Sequence, residues 1–108
     1  MENRSRMMEQ LPIGMALTDI SGKILEANQA AQDLLGFESR EAFLSTPMLD
    51  LYVDDGQRAK LLAEIQANGK VETKVALRAN GRIEMFNIKA VLFHSPGTGV
   101  MLTAIWKE

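Results

Sequence analysis

Few side chains in this sequence combine the type and the spacing that catalysis or metal binding requires. His94 is the only histidine, the chain has no cysteine, and no cluster of carboxylates accompanies His94. Because an active site or a metal centre needs several such groups that converge, we interpret His94 as a structural or solvated residue. Asp54 and Asp55 are explained by the start of a helix, where carboxylates are favourable. The sequence therefore predicts neither an enzyme nor a metal site.

The composition is that of an ordinary globular domain. The chain has 108 residues, of which 46% are hydrophobic and 24% are charged, enough for one domain with a single core. A net charge of −2 gives no electrostatic reason to expect nucleic acid or direct membrane contact. The absence of cysteine, of a long apolar run and of a signal peptide predicts a cytoplasmic location. A membrane-anchored receptor that contains this segment is an alternative that stays open.

The sequence predicts two units, a short N-terminal helix over 1–11 and a folded domain over 12–108. The helix carries Met7, Met8 and Leu11 on one side. Pro12 then separates it from the first strand.

Residues 15–37 predict a strand, a turn, a second strand and a helix in that order. Asp19 ends the first strand, because its short side chain accepts backbone N–H groups across a tight turn. Gly22 supplies the positive φ that such a turn needs. Asn28 is a good N-cap for a short helix, and Gly36 ends that helix at the C′ position.

The middle of the chain predicts three further helical segments. Ser39 caps the first, and Thr46 caps the second with Pro47 at its favoured first position. The longest segment runs over 55–67, and Gln57 follows its cap by three residues, as in a capping box.

The remainder of the chain predicts β-structure. Apolar and polar residues alternate over 71–78, and Asn80-Gly81 predicts a two-residue hairpin turn. Counting outward from this turn places Val75 opposite Phe86. With a last strand over 100–106, the predicted fold is α+β, a single five-stranded antiparallel sheet with helices packed on one face.

This order of elements resembles a PAS domain, a small sensor module of signalling proteins. The resemblance covers about residues 12–106 and depends on the turn and cap residues Asp19, Gly22, Asn28, Gly36, Asn80 and Gly81. Val53-Asp54-Asp55 is similar to the acidic start of the family's long helix, and 78–82 is similar to its charged turn before the fourth strand.

The resemblance implies a sensory input domain of a histidine kinase, a cyclic-dinucleotide enzyme or a transcription regulator. Such a domain binds a small ligand or a partner and relays the event by a shift between conformations. An effector domain is expected in the same chain or in a partner chain. The alternative is a PAS-type dimerisation or interaction module that binds nothing small.

The resemblance also implies a ligand pocket between the helices and the sheet. The residues that would line it are Phe37, Met48, Tyr52, Leu62, Thr73, Val75, Phe86, Ile88 and Leu102. Tyr52 and Thr73 are the candidates for orienting a polar group of the ligand. A filled hydrophobic core built from these residues is the alternative.

Flavin and haem are not expected as cofactors. Light-sensing relatives need a reactive cysteine, and they hydrogen-bond the flavin where this chain has Phe86 and Leu102. Many haem-binding relatives ligate iron from the long helix, but 55–67 contains no histidine. The methionines are interpreted as core filler, and an unidentified small molecule is the candidate ligand.

The strand after the Asn80-Gly81 turn also predicts a homodimer. If Phe86 and Ile88 point at the helices, the alternate side chains form an outer face that is unusually apolar. The predicted interface consists of Met7, Met8, Leu11, Met85, Val91 and Phe93. The resemblance favours this dimer, since PAS relatives often pair through such an N-terminal helix; the alternative is that the helix folds back on its own sheet. At the end of the last strand, where many relatives have Asp-Ile-Thr, this chain has Ala104-Ile105-Trp106.

Overall fold

The computed structural model describes residues 13–95 and 98–107, and the predicted N-terminal helix lies outside these ranges. The strands are β1 (Gly14–Asp19), β2 (Ile24–Ala27), β3 (Lys70–Ala79), β4 (Arg82–Ser95) and β5 (Thr98–Trp106). The helices are α1 (Gln29–Leu35), α2 (Arg40–Leu44) and α3 (Asp55–Asn68), with a 3-10 turn, η1 (Met48–Leu51), before α3.

The five strands form one antiparallel sheet in the order β2-β1-β5-β4-β3. β5, the last strand in the chain, therefore lies at the centre between β1 and β4. The helices come from the connection between β2 and β3 and pack on one face, so the predicted α+β class is confirmed. Within the described ranges, no helix has the length and apolarity needed to cross a bilayer.

The turn between β3 and β4 has the backbone that Asn80-Gly81 predicts. The φ angles are +56° at Asn80 and +74° at Gly81, both positive as a type I′ turn requires. Ala79 lies opposite Arg82 and Val75 opposite Phe86, which is the register that counting from the turn predicts.

Two residues that the sequence predicts as helix-start signals, Thr46 and Gln57, make other hydrogen bonds instead. Thr46 does not cap η1; its hydroxyl donates to the carbonyl of Ala42 on the preceding helix, at 2.9 Å. Gln57 does not complete a capping box, because its side-chain Nε2 donates to Lys74 O (3.2 Å) and its Oε1 accepts from Ala76 N (3.5 Å). β3 is an edge strand, so this amide occupies backbone groups that no neighbouring strand pairs.

The core lies between the helices and the inner face of the sheet. Its most deeply buried large side chains are Phe43, Ile65, Val75, Leu77, Phe86, Ile88 and Ile105. Burying each of these contributes roughly 1.5–3 kcal/mol. Side chains alternate along β4, so Phe86 and Ile88 face the helices while Met85 and Phe93 face away.

Candidate functional site

The β1–β2 turn is built around the carboxylate of Asp19. Its Oδ1 accepts from the Ser21 hydroxyl (2.6 Å), from Ser21 N (2.9 Å) and from Lys23 N (3.0 Å). These bonds, that of the Ser21 hydroxyl first, hold the pKa of Asp19 below its ordinary value. Gly22 has φ +95°, and its carbonyl accepts from Met48 N at 2.8 Å, which attaches the turn to η1. The Asp19 carboxylate therefore stabilises its own turn through these hydrogen bonds.

Asn28 joins β1 to α1. Its side chain is 1% exposed, and its Oδ1 accepts both from Ala31 N (3.0 Å), as an N-cap does, and from Met15 N (2.9 Å). Its Nδ2 donates to Ile13 O at 2.9 Å. One buried amide therefore caps the helix and fixes it against the first strand.

The carboxyl end of α1 meets the turn between β3 and β4. Gly36 has φ +80°, and its N–H donates to the carbonyls of Gln32 and Asp33. Asn80 N donates to Leu35 O at 3.3 Å. A Cβ on Gly36 would lie only 2.2 Å from Asn80 Oδ1, so glycine is required here by both its backbone angle and its surroundings.

Most of the predicted pocket residues lie together on the inner side of the sheet. The buried ones are Met48, Tyr52, Val75, Phe86 and Ile88. Phe37 and Leu62 are half-buried and pack against the core, with the ring of Phe37 stacked on that of Phe43 at 4.9 Å between centroids. This location agrees with a ligand pocket and equally with a filled core.

Two predicted pocket residues, Leu102 and Thr73, lie outside this region. Leu102 lies opposite Val91 on the outer face, because side chains alternate along β5 and the neighbouring Met101 and Thr103 take the inner face. Thr73 is exposed on the edge strand, where it lines a surface groove beside α3. Leu102 therefore does not line a pocket inside the core, and Thr73 is not in a position to orient a ligand there.

The sequence prediction missed three buried polar side chains. Thr18, Gln32 and Thr103 are 1%, 7% and 6% exposed. Among the described residues, Thr18 Oγ1 and Gln32 Oε1 are buried without a hydrogen-bond partner, an arrangement that costs free energy. Alternation along β1 was the available signal, since it places Thr18 on the same face as Ala16.

Tyr52 adds a hydroxyl at the margin of the core. It is 8% exposed and forms an antiparallel bridge with Leu77 of β3. Burial raises the pKa of Tyr52 to about 12, so its phenol stays protonated at neutral pH. A neutral phenol can either donate or accept a hydrogen bond.

The outer face of the sheet carries the strand residues of the predicted dimer interface. Met85 and Phe93 are 57% and 50% exposed, and Val91 is half-buried. A row of apolar side chains crosses this face where Val91, Leu102 and Leu17 lie side by side on β4, β5 and β1. The other predicted interface residues, Met7, Met8 and Leu11, lie outside the described residues.

Within residues 13–95 and 98–107, no group of three or more histidine or acidic side chains is placed to hold a metal ion. The side-chain chemistry that the structure gathers is therefore that of turns, caps and a core with a few polar atoms.

A single antiparallel sheet with helices on one face, opened by an Asp–Gly turn and an asparagine cap, defines a PAS-type domain. The chain belongs to the PAS family, because the PAS fold model matches residues 2–105. A search of curated proteins found no match.

Solved structures share this fold along nearly the whole chain. A PAS domain from a two-component sensor histidine kinase has 17% identity and a TM-score of 0.86, covering 99% of this chain and 95% of that one. A domain of a sensory box sensor histidine kinase/response regulator from Geobacter sulfurreducens has 24% identity and a TM-score of 0.78, with 98% and 93% covered. The PAS domain of nitrogen regulation protein NR(II) from Vibrio parahaemolyticus has 18% identity and a TM-score of 0.77, with 97% of each chain covered.

Proposed function

We propose that this chain is the sensory input domain of a cytoplasmic signalling protein and that it has no enzymatic activity of its own. The match of the PAS family to residues 2–105 carries the proposal. A histidine kinase is the effector type that the similar solved structures favour; a cyclic-dinucleotide enzyme or a transcription regulator would use the same input. The effector lies in the same chain or in a partner chain.

The ligand is a small molecule held between the helices and the inner face of the sheet. Support comes from Thr18 Oγ1 and Gln32 Oε1, two buried oxygens that have no hydrogen-bond partner among the described residues, since a polar group of a ligand would satisfy them. Tyr52, which is bridged to Leu77 of β3, contributes a further polar group, a protonated hydroxyl. The apolar remainder of the core favours a ligand that is largely apolar.

The relay is a population shift carried by β5. This strand lies at the centre of the sheet, and its inner residues Met101, Thr103 and Ile105 are buried in the core. A ligand that packs better against one arrangement of the core favours that arrangement. The change then reaches the residues that follow Trp106, because they continue directly from β5.

Native mass spectrometry of freshly purified protein tests the proposal. We expect a mass above that of the bare chain, and extraction then identifies the bound compound. Thr18→Val keeps the shape of the side chain and removes the hydroxyl, so it should reduce the bound fraction. Thr73→Val is the matched control, because Thr73 is exposed at the sheet edge and should have no effect. A visible absorbance spectrum should show neither flavin nor haem.

The alternative function is that of a dimerisation or interaction module with a filled core. The observation that favours it is the exposure of Ile83, Met85 and Phe93, which are 59%, 57% and 50% exposed on the outer face. A bare chain mass in the native spectrum, with no compound extracted, would select this alternative.

A further inference from the structure

Glu84, the third residue of β4, is a point at which three parts of the fold meet. Its Oε1 accepts a hydrogen bond from Lys107 Nζ, and its Oε2 accepts one from Asn80 Nδ2 at 2.9 Å. Arg82 Nε lies 3.9 Å from the same Oε2. The Glu84 side chain is 13% exposed, against 42% for Lys107 and 74% for Arg82, so the carboxylate depends on its protein partners more than they depend on it.

Asn80 connects this carboxylate to the carboxyl end of α1. Its backbone N–H donates to Leu35 O at 3.3 Å, and its Nδ2 lies 3.5 Å from Leu34 O as well as 2.9 Å from Glu84. The Asn80 side chain lies directly against the end of the helix, since a Cβ built on Gly36 would be only 2.2 Å from Asn80 Oδ1. Asn80 therefore links the Glu84 carboxylate to the last turn of α1 through hydrogen bonds.

Lys107 brings the end of β5 to the same carboxylate. It follows Trp106, the last residue of β5. Its Nζ also lies 5.3 Å from the centroid of the Phe86 ring, a cation–π contact with a residue that is 1% exposed. Two contacts on β4 thus hold the first residue after the strand.

We propose that Glu84 couples the residues that follow β5 to the carboxyl end of α1, so that release of Lys107 loosens the Asn80-Gly81 turn and the last turn of the helix. By linkage, loosening that turn also weakens the hold on Lys107. The bonds from Lys107 first, and then from Asn80, hold the pKa of Glu84 below its ordinary value, which agrees with a carboxylate that both partners share. The coupling goes beyond the sensor role and does not need a ligand in the core.

Amide hydrogen exchange measured by NMR on the 108-residue chain tests the coupling. The reporters are the N–H groups of Asn80 and Gly36, which donate to α1 carbonyls. Lys107→Met should accelerate exchange at both by about fivefold or more, and Lys107→Arg should restore the wild-type rates. Lys89→Met is the matched control and should leave both rates unchanged, because Lys89 and Glu72 form an exposed pair at 4.0 Å.

The reverse direction uses Asn80→Gly, since glycine accepts the positive φ at this position. Trp106, the only tryptophan, is the reporter, and we expect its fluorescence anisotropy to fall in this variant. Unchanged reporter rates in Lys107→Met, an equal acceleration in Lys89→Met, or a uniform acceleration over the whole sheet would each overturn the proposal. An unchanged anisotropy in Asn80→Gly would overturn it as well.

Discussion

At the scale of single residues, Asn28 does more than cap a helix. Asn28→Ala would leave Ala31 N, Met15 N and Ile13 O without their side-chain partner. Loss of a cap alone costs about 0.5–2 kcal/mol, and each of the two partly buried bonds, with Met15 and Ile13, adds about 0.5–1.5 kcal/mol. We expect the free energy of unfolding, measured by urea denaturation, to fall by about 2–4 kcal/mol.

Ser39→Ala is the matched control for this loss. Ser39 caps α2 through one exposed bond, from Ala42 N to its Oγ at 3.0 Å. Its removal should cost about 0.5–1 kcal/mol. Equal losses in the two variants would mean that the bonds from Asn28 to β1 contribute nothing.

Asp19 gives the domain a stability that depends on pH. Its folded pKa lies below the ordinary 3.8, so its bonds stabilise the fold above pH 3.8 and are lost as pH falls through the lowered value. Asp19→Asn does not titrate, so its stability should fall less steeply than that of the wild type below pH 3.8. Denaturant unfolding curves from neutral pH downward measure this difference, and parallel loss in both proteins would contradict it.

Residue roles could be predicted from the sequence where they are local. Asp19 binds N–H groups two and four residues away, and Asn28 caps the helix that it precedes, so their residue types and positions were enough. The bonds from Asn28 to Met15 and Ile13 span 13 and 15 residues, and no sequence pattern marks them. The face on which Leu102 lies was predicted wrongly. A two-residue turn fixes which residues of β3 and β4 pair, but the longer loop before β5 does not fix the pairing of β5.

At the scale of helices and turns, two glycines offer a controlled comparison. Gly36 and Gly69 end α1 and α3 with φ +80° and +78°. A Cβ would clash with Asn80 at Gly36, whereas none of the surrounding atoms lies within 4 Å at Gly69. Alanine at Gly69 should cost about 1–2 kcal/mol of backbone strain, and alanine at Gly36 should cost clearly more in the same denaturation experiment. Equal costs would mean that α1 does not pack tightly against the turn.

The sequence predicts elements better than it predicts what their side chains touch. The Asn80-Gly81 turn determined both the hairpin and the register of β3 against β4, because only a few residues accept this backbone. Gln57 has the residue type and spacing of a capping box, but the open edge of β3 offers its amide two backbone partners. The choice of Gln57 between the helix cap and the β3 backbone depends on tertiary structure, so the spacing of residues in the sequence does not reveal it.

At the scale of the whole molecule, the exposed outer face predicts a homodimer. Val91→Glu with Phe93→Lys places two charges among the apolar side chains of that face and should abolish association. Light scattering over a concentration series measures the state of each protein. Glu72→Lys with Lys74→Glu is the matched control, because it changes two charges on the neighbouring strand β3 and leaves the row of Val91, Leu102 and Leu17 unchanged.

The dimer would be contradicted by a wild-type chain that stays monomeric at high micromolar concentration. It would also be contradicted by a Val91→Glu and Phe93→Lys variant that associates as strongly as the wild type. In either case the apolar outer face would need another occupant.

The architecture of the whole domain could be predicted because each element carries its own local signal and the order of elements is typical of PAS domains. The polar atoms inside the core were missed: alternation along β1 places Thr18 on the buried face, but it does not show whether the Thr18 hydroxyl finds a hydrogen-bond partner there.

The most direct test of the central claim, a small molecule bound in the core, is thermal unfolding before and after small molecules are removed. One sample is used as freshly purified, and the other is unfolded, dialysed and refolded. A ligand that binds only the folded state raises the Tm. We expect a lower Tm after dialysis and its recovery when the compound extracted from the fresh protein is added back. The same Tm in both samples, with no response to the extract, would contradict the claim.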